Sequence, residues 1–170
     1  RDNVATITLM RPDAANALSG EMIRELWQVS VRCDDDPEIR AVILTATGRM
    51  FCAGGDLKDF AAQGDGMPAY LTEGATLLHA AVTRFQRMDA PLIIAVNGVA
   101  GGGGLSVVTA GDVVLAADTA SFVSAYTASG LTPDGSSTYF LAKHIGLMRA
   151  KEMVFLNRKL SAAEACDWGL

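Results

Sequence analysis

Basic residues are in short supply. Fourteen Lys and Arg stand against 19 Asp and Glu, for a formal net charge of −5, and the basic residues are scattered rather than gathered into a run. A nucleic-acid binder needs a basic face that displaces counterions from phosphates, so no nucleic-acid partner is expected. Cysteine is scarce as well. Cys33, Cys52 and Cys166 are odd in number, far apart, and form no C-x-x-C pair. That argues against a disulfide-stapled scaffold and fits a reducing, cytoplasmic setting. There is no Gly-Lys-Ser/Thr, and the run Gly101-Gly102-Gly103-Gly104 lacks the third glycine of a G-x-G-x-x-G fingerprint. Both gaps count against a nucleoside triphosphatase and a dinucleotide dehydrogenase. Arg1-Asp2-Asn3 leads straight into a strand pattern, so no signal peptide is expected. The long uncharged stretch at residues 90–111 raises the question of a membrane span, but its glycines and Asn97 break it into strand, turn and helix, and no membrane partner is expected.

What remains is a chain of 170 residues, half of them hydrophobic, enough for one domain with a real core over residues 1–170. Residues 4–9 alternate and are β-branched, which predicts a strand. Ser19 is placed to cap a helix running to about Cys33, with Met22, Leu26, Val29 and Cys33 on one face. The run Asp34-Asp35-Asp36-Pro37 ends that helix; its spacing is wrong for a calcium loop, and no metal is expected. Residues 41–45 and 92–96 read as strands, 58–68 as a loop, and 68–88 as a helix with Leu71, Leu78, Val82 and Phe85 at near-helical spacing. After a small-residue helix at 104–110, residues 112–116 and 121–123 are strand candidates, 126–133 is irregular, and the pattern is helical from Ser136, with Ser161 capping the last helix. Alternating strands and helices predict an α/β chain.

Two glycine-rich turns stand out. Phe51-Cys52-Ala53-Gly54-Gly55-Asp56-Leu57 follows the strand at 41–45, and Asn97-Gly98-Val99-Ala100-Gly101-Gly102-Gly103-Gly104-Leu105 follows the strand at 92–96. Glycine permits close backbone approach. A turn feeding a helix leaves N–H groups pointing outward. Either turn alone could be an ordinary strand-to-helix connection. Side by side, the two could direct two N–H donors at one oxygen, which is what an oxyanion hole for a thioester or ester carbonyl requires.

The pair of turns resembles the crotonase family, also called the enoyl-CoA hydratase/isomerase family. The likeness covers nearly the whole chain, from the strand at 4–9 with Asn16-Ala17-Leu18 to Leu160-Ser161-Ala162-Ala163-Glu164-Ala165 and Asp167-Trp168-Gly169-Leu170. It implies a spiral of repeated strand-strand-helix units, with further helices beyond Leu170 that cover the site and build trimers or dimers of trimers. It implies an acyl-CoA thioester as substrate, with coenzyme A arriving as part of that substrate and no separate cofactor. The oxyanion donors would be the amides of Gly55 and Gly103, while Ala15, Ala53, Gly54, Asp56 and Leu57 would line the coenzyme A path.

The remaining positions select the reaction. Family hydratases use two glutamates, and this chain has Ser106 and Tyr126 at those places, lining the substrate site. Neither hydroxyl replaces a carboxylate near neutral pH, so hydration is not expected. Asp134, in Leu131-Thr132-Pro133-Asp134-Gly135, falls where family isomerases carry an acid that shuttles a proton; by itself Pro-Asp-Gly would read as a surface turn. His79 matches a histidine that family dehalogenases acting on chlorinated benzoyl-CoA pair with that aspartate, although their tryptophan is replaced here by Tyr126. His144 matches no catalytic position. The leading expectation is an enoyl-CoA isomerase-type enzyme with Asp134 as proton shuttle. The alternatives are an aroyl-CoA dehalogenase-like enzyme with an Asp134 nucleophile and a His79 base, and a non-catalytic protein of the same fold that binds acyl-CoA or RNA.

Overall fold

The structure, a computed structural model, describes residues 2–170. The chain runs β1 (Val4–Leu9), α1 (Gly20–Asp35), β2 (Ala41–Ala46), β3 (Met50–Cys52), α2 (Leu57–Ala62), α3 (Met67–Arg87), β4 (Leu92–Val96) and β5 (Val99–Gly101). It continues through α4 (Gly103–Val108), β6 (Val113–Ala116), β7 (Ser121–Val123), α5 (Ser137–Ile145), α6 (Leu147–Leu156), β8 (Leu160–Ser161) and α7 (Ala162–Trp168). Short 3-10 turns lie at Pro12–Ala14, Gly64–Gly66 and Thr127–Ser129.

Two four-stranded sheets organise it. One has the order β1-β2-β4-β6 and is parallel throughout; the other has the order β3-β5-β7-β8, with only β8 antiparallel. The strand pairs β2–β3, β4–β5 and β6–β7 each step from the first sheet to the second. Helices carry the chain back to the first sheet after β3 and β5, and after β7 α5 and α6 lead to β8 in the second. This is the expected spiral of strand-strand-helix turns. Parallel neighbours demand such crossovers, because a tight hairpin cannot join them. The crossovers also bury the sheet: Val42, Leu44, Leu92 and Ile94 have no exposed surface. α3 lies along α1 and presses Leu78, Val82 and Phe85 into the core. Burying a side chain such as Phe85 contributes about 2–3 kcal/mol.

Local chemistry sets several boundaries. Ser19 accepts the Met22 N–H at the start of α1, and Ser161 and Glu164 form a reciprocal capping box on α7. α1 runs two residues past Cys33, to Asp35. Residues 58–68 are not a loop: they hold α2, a 3-10 turn and the first turn of α3. Asp56 caps α2 by accepting the Asp59 N–H, a start signal masked by the later Gly64 and Gly66. β3, β5 and β8 are too short to show a period; their pairing comes from the second sheet. The uncharged stretch 90–111 folds as β4, β5 and α4, and among the described residues no helix is long and apolar enough to cross a membrane.

Asn16 ties the first loop to the site. It is fully buried, with φ +51°. Its Nδ2 donates to the Thr47 and Met50 carbonyls at 2.8 Å each, and its Oδ1 accepts the Arg11 N–H at 2.8 Å. Asparagine tolerates this left-handed conformation better than most residues. Asn16→Ala leaves two carbonyls and one N–H without partners, so we expect a loss of about 3 kcal/mol. The check is a lower urea midpoint with an unchanged slope.

Candidate active site

The two glycine turns lie against each other. In the first, Ala53 N–H donates to Ala15 O at 3.0 Å, Leu18 N–H to Gly54 O at 2.7 Å, and Asp56 N–H to Leu18 O at 3.1 Å. In the second, Gly102 N–H donates to Val123 O at 3.1 Å and Ser106 N–H to Gly102 O at 3.1 Å. The Gly55 and Gly103 amides take part in none of these turn bonds. Gly103 opens α4, where the first N–H has no intrahelical acceptor. Contact between the turns is backbone on backbone: a Cβ on Gly54 would sit 2.9 Å from Gly101 O and 3.4 Å from Gly103 N. Both Gly55 and Gly103 face one cavity of about 370 Å³.

Its wall is mainly apolar, with Ile23 from α1, Leu71 and Leu78 from α3, Phe60 from α2, and Leu131 from the loop before α5. Among the residues that line it, Asp134 is the single carboxylate. The Pro-Asp-Gly turn is packed against α4 rather than open to solvent. Gly135, at φ +55°, has no room for a side chain, since a Cβ would lie 2.7 Å from Ser106 Cβ. The Asp134 carbonyl accepts from Ser137 Oγ at 2.8 Å and Ser137 N–H at 3.0 Å. Tyr126 OH donates to Asp134 Oδ1 at 2.6 Å and lies 2.7 Å from Ser106 Oγ. Burial raises the Asp134 carboxyl above its ordinary value, outweighing the Tyr126 hydrogen bond and the nearby His79, both of which pull it down. Burial, then the charge of Asp134, holds the Tyr126 phenol above its usual range, so it stays protonated.

The other expected site residues fall in several places. Ala53, Gly54 and Leu57 line the cavity, as Tyr126 does. Ala15 lies beneath the first turn and supplies the carbonyl that holds Ala53. Asp56 points at Arg11, 3.1 Å away, and caps α2 instead of facing the cavity. Ser106 is fully buried behind Tyr126. His79 is exposed and off the cavity wall; its Nε2 accepts the Gly135 N–H at 2.8 Å, and it borders a separate recess with Trp27, Arg84 and Arg87. His144 sits on α5 with Nε2 3.2 Å from Thr109 O.

One wall element escaped the sequence reading. Tyr70 lines the cavity and donates to Asp59 Oδ2 in a short contact, while Gly20 N–H reaches both Tyr70 OH at 2.9 Å and Asp59 Oδ2 at 3.1 Å. The Tyr70 hydroxyl, then the Gly20 N–H, lowers the Asp59 carboxyl below its ordinary value. This cluster ties α2 and α3 to the start of α1. The spacing of Asp56 and Asp59 was its one visible signal.

A stability prediction follows from the raised Asp134. The folded protein holds this proton more tightly than the unfolded chain, so the stabilising contribution is full below the unfolded value near pH 4 and is lost as pH rises through the higher folded value. Asp134→Asn keeps an acceptor for Tyr126 and removes the charge. It should therefore melt a few degrees above the wild type at pH 7, with the gap closing below about pH 4. Thermal scans at the two pH values check this.

A family model described as enoyl-CoA hydratase/isomerase matches residues 1–170. The chain is 40% identical over 169 residues to a probable enoyl-CoA hydratase of Rhodobacter capsulatus, covering 99% of this chain and 64% of that protein. It is 35% identical to 4-chlorobenzoyl coenzyme A dehalogenase-1 of an Arthrobacter species, covering 99% of this chain and 62% of that one. It is 38% identical to the 1,2-epoxyphenylacetyl-CoA isomerase of Escherichia coli, covering 98% and 64%. The crystal structure of an enoyl-CoA hydratase from Polaromonas superposes with a TM-score of 0.91 at 32% identity, over 99% of this chain and 66% of that one. The chain thus spans a little under two thirds of the length of these curated relatives. With the family match over residues 1–170, the spiral of two sheets and the paired glycine turns all in agreement, the chain belongs to the enoyl-CoA hydratase/isomerase family, the crotonase superfamily.

Proposed function

We propose that the protein is an isomerase-type enzyme that moves a proton along the acyl chain of a coenzyme A thioester. The observation that carries this reading is the single carboxylate on the cavity wall, Asp134. Hydration by the family's two-carboxylate route needs a second acid or base to handle water. A 1,3-proton transfer needs one group that takes a proton from one carbon and returns it to another.

In this reading the thioester oxygen lies between the Gly55 and Gly103 amides, which strengthen their hydrogen bonds as it becomes an enolate. Asp134 removes the proton, and the raised affinity that burial gives its carboxyl makes it a stronger base than a solvated aspartate. The Escherichia coli relative is an isomerase by name, which supports the class without identifying the acyl group. A trimeric assembly or a dimer of trimers belongs to the same proposal, supported by the exposed Leu147, Met148, Phe155 and Leu156 of α6 and measurable by sedimentation.

A dehalogenase-like reaction would use Asp134 as nucleophile and His79 to activate water. The Arthrobacter relative motivates it. The position of His79 counts against it: Nε2 is occupied by the Gly135 N–H and the ring is off the cavity wall. The test is incubation in heavy water with a panel of 2-enoyl-, 3-enoyl- and aroyl-CoA esters, reading deuterium uptake by mass spectrometry. Uptake or double-bond migration supports isomerisation. A trapped aspartyl ester with no uptake would favour the dehalogenase-like route. Tight binding with no turnover would leave a binding protein.

A further inference from the structure

Ser106 and Tyr126, which replace the two family glutamates, form one chain with Asp134. Ser106 Oγ lies 2.7 Å from Tyr126 OH and 3.0 Å from the Asp134 carbonyl, and Tyr126 OH lies 2.6 Å from Asp134 Oδ1. Each hydroxyl has one proton to give. The Asp134 carbonyl already accepts twice from Ser137, so it does not need the Ser106 proton. If Ser106 turned there while Tyr126 donated to Oδ1, two oxygens would face each other at 2.7 Å with no hydrogen between them. The satisfied arrangement runs in one direction: Ser106 donates to the Tyr126 oxygen, and Tyr126 donates to Asp134 Oδ1. Hydrogen bonds in series polarise one another, which strengthens the final donor. Oδ1 takes this donor, and among the described residues no side chain donates a hydrogen bond to Oδ2.

We infer that Tyr126 and Ser106 are positioning residues that pin Oδ1 of Asp134, so that Oδ2 alone serves as the base. This rests on the proton-shuttle reading above. The same oxygen would take the substrate proton and return it, with the carboxyl kept from rotating between the two events. The groups facing Asp134 are Tyr126 from the loop after β7 and His79 from α3, whose Nε2 is held by Gly135. Removing the Tyr126 hydroxyl takes away the hydrogen bond that favours the charged carboxylate.

The test follows Asp134 in two ways on the same proteins: carboxyl 13C NMR titration without ligand, and the pH profile of deuterium exchange with the active ester. Wild type, Tyr126→Phe, Ser106→Ala and the double variant are compared. For Tyr126→Phe, the titration and the acid limb of the rate profile should both move to higher pH, and the exchange rate should fall about tenfold or more, the scale of one hydrogen bond to a charged group. Ser106→Ala should shift both in the same direction by less. The double variant should match Tyr126→Phe, because Ser106 acts through Tyr126. An Asp134 titration unmoved in Tyr126→Phe overturns the inference, and so do additive losses in the double variant. A wild type that neither exchanges a proton nor moves a double bond with any ester overturns the shuttle reading instead, and is recognised before any variant is made.

Discussion

Asp134→Asn is expected to slow proton exchange at the acyl chain about 10²–10⁴-fold, the range set by removing a general acid–base group. The amide has nearly the shape of the carboxyl and can still accept from Tyr126, so the local packing survives while the base is lost. Because no other carboxylate lines the cavity, no neighbour can take over. Coenzyme A ester binding should change little, since a base that acts only in the chemical step contributes to kcat more than to KM. The same variant is expected to be the more stable protein at pH 7, as argued above. Lost turnover with gained stability is the signature of a charge kept buried for chemistry. A variant that both melts lower and binds ester poorly would identify Asp134 as a structural turn residue. Continuous kinetics and calorimetry on one preparation decide between the two.

Gly54→Ala should produce the other large effect, through geometry alone. Gly54 has φ +104°, a conformation that L side chains rarely adopt, and its added Cβ would meet Gly101 O at 2.9 Å and Gly103 N at 3.4 Å. Neither neighbour is a flexible side-chain end; both are backbone of the facing turn. The turns must separate, and with them the Gly55 and Gly103 amides. We expect a stability loss of about 1–3 kcal/mol from the strained backbone. The accompanying fall in kcat should be about 10²–10³-fold if one donor moves out of reach of the enolate oxygen. Gly64→Ala is the matched comparison: its φ is +52°, but a Cβ there meets nothing within 4 Å. It should cost about 1–2 kcal/mol, the strain of a left-handed residue alone, and leave kcat unchanged. Equal effects at both positions would remove the argument that contact between the turns matters.

Much of the architecture follows from short-range chemistry that the linear chain displays. The apolar runs at β2 and β4, the serine caps of α1 and α7, and the glycines needed where Gly54 and Gly102 take positive φ are local properties, set within a few residues. Pattern and propensity act over that range. They therefore predicted the α/β alternation and marked both turns, and the resemblance of those turns named the spiral. The same reasoning failed at β3, β5 and β8, where two or three residues carry no period and pairing partners come from elsewhere in the chain. It also took α2 for a loop, because Gly64 and Gly66 outweighed the Asp56 cap.

The arrangement of the site was decided by tertiary structure. Gly135 meets His79 across 56 positions, Ser106 meets the Asp134 carbonyl across 28, and Tyr70 meets Gly20 across 50. Nothing local encodes such meetings; they arise because parallel strands force each helix back over the sheet and bring loops from successive turns of the spiral to one end. The sequence alone determined that a lone aspartate stood where the resemblance placed a proton carrier. Only the packed chain decided that Tyr126 holds one oxygen of that aspartate, that Ser106 stands behind Tyr126, and that His79 braces the loop from outside the cavity, since hydrogen-bond partners are chosen by distance in space and not along the chain.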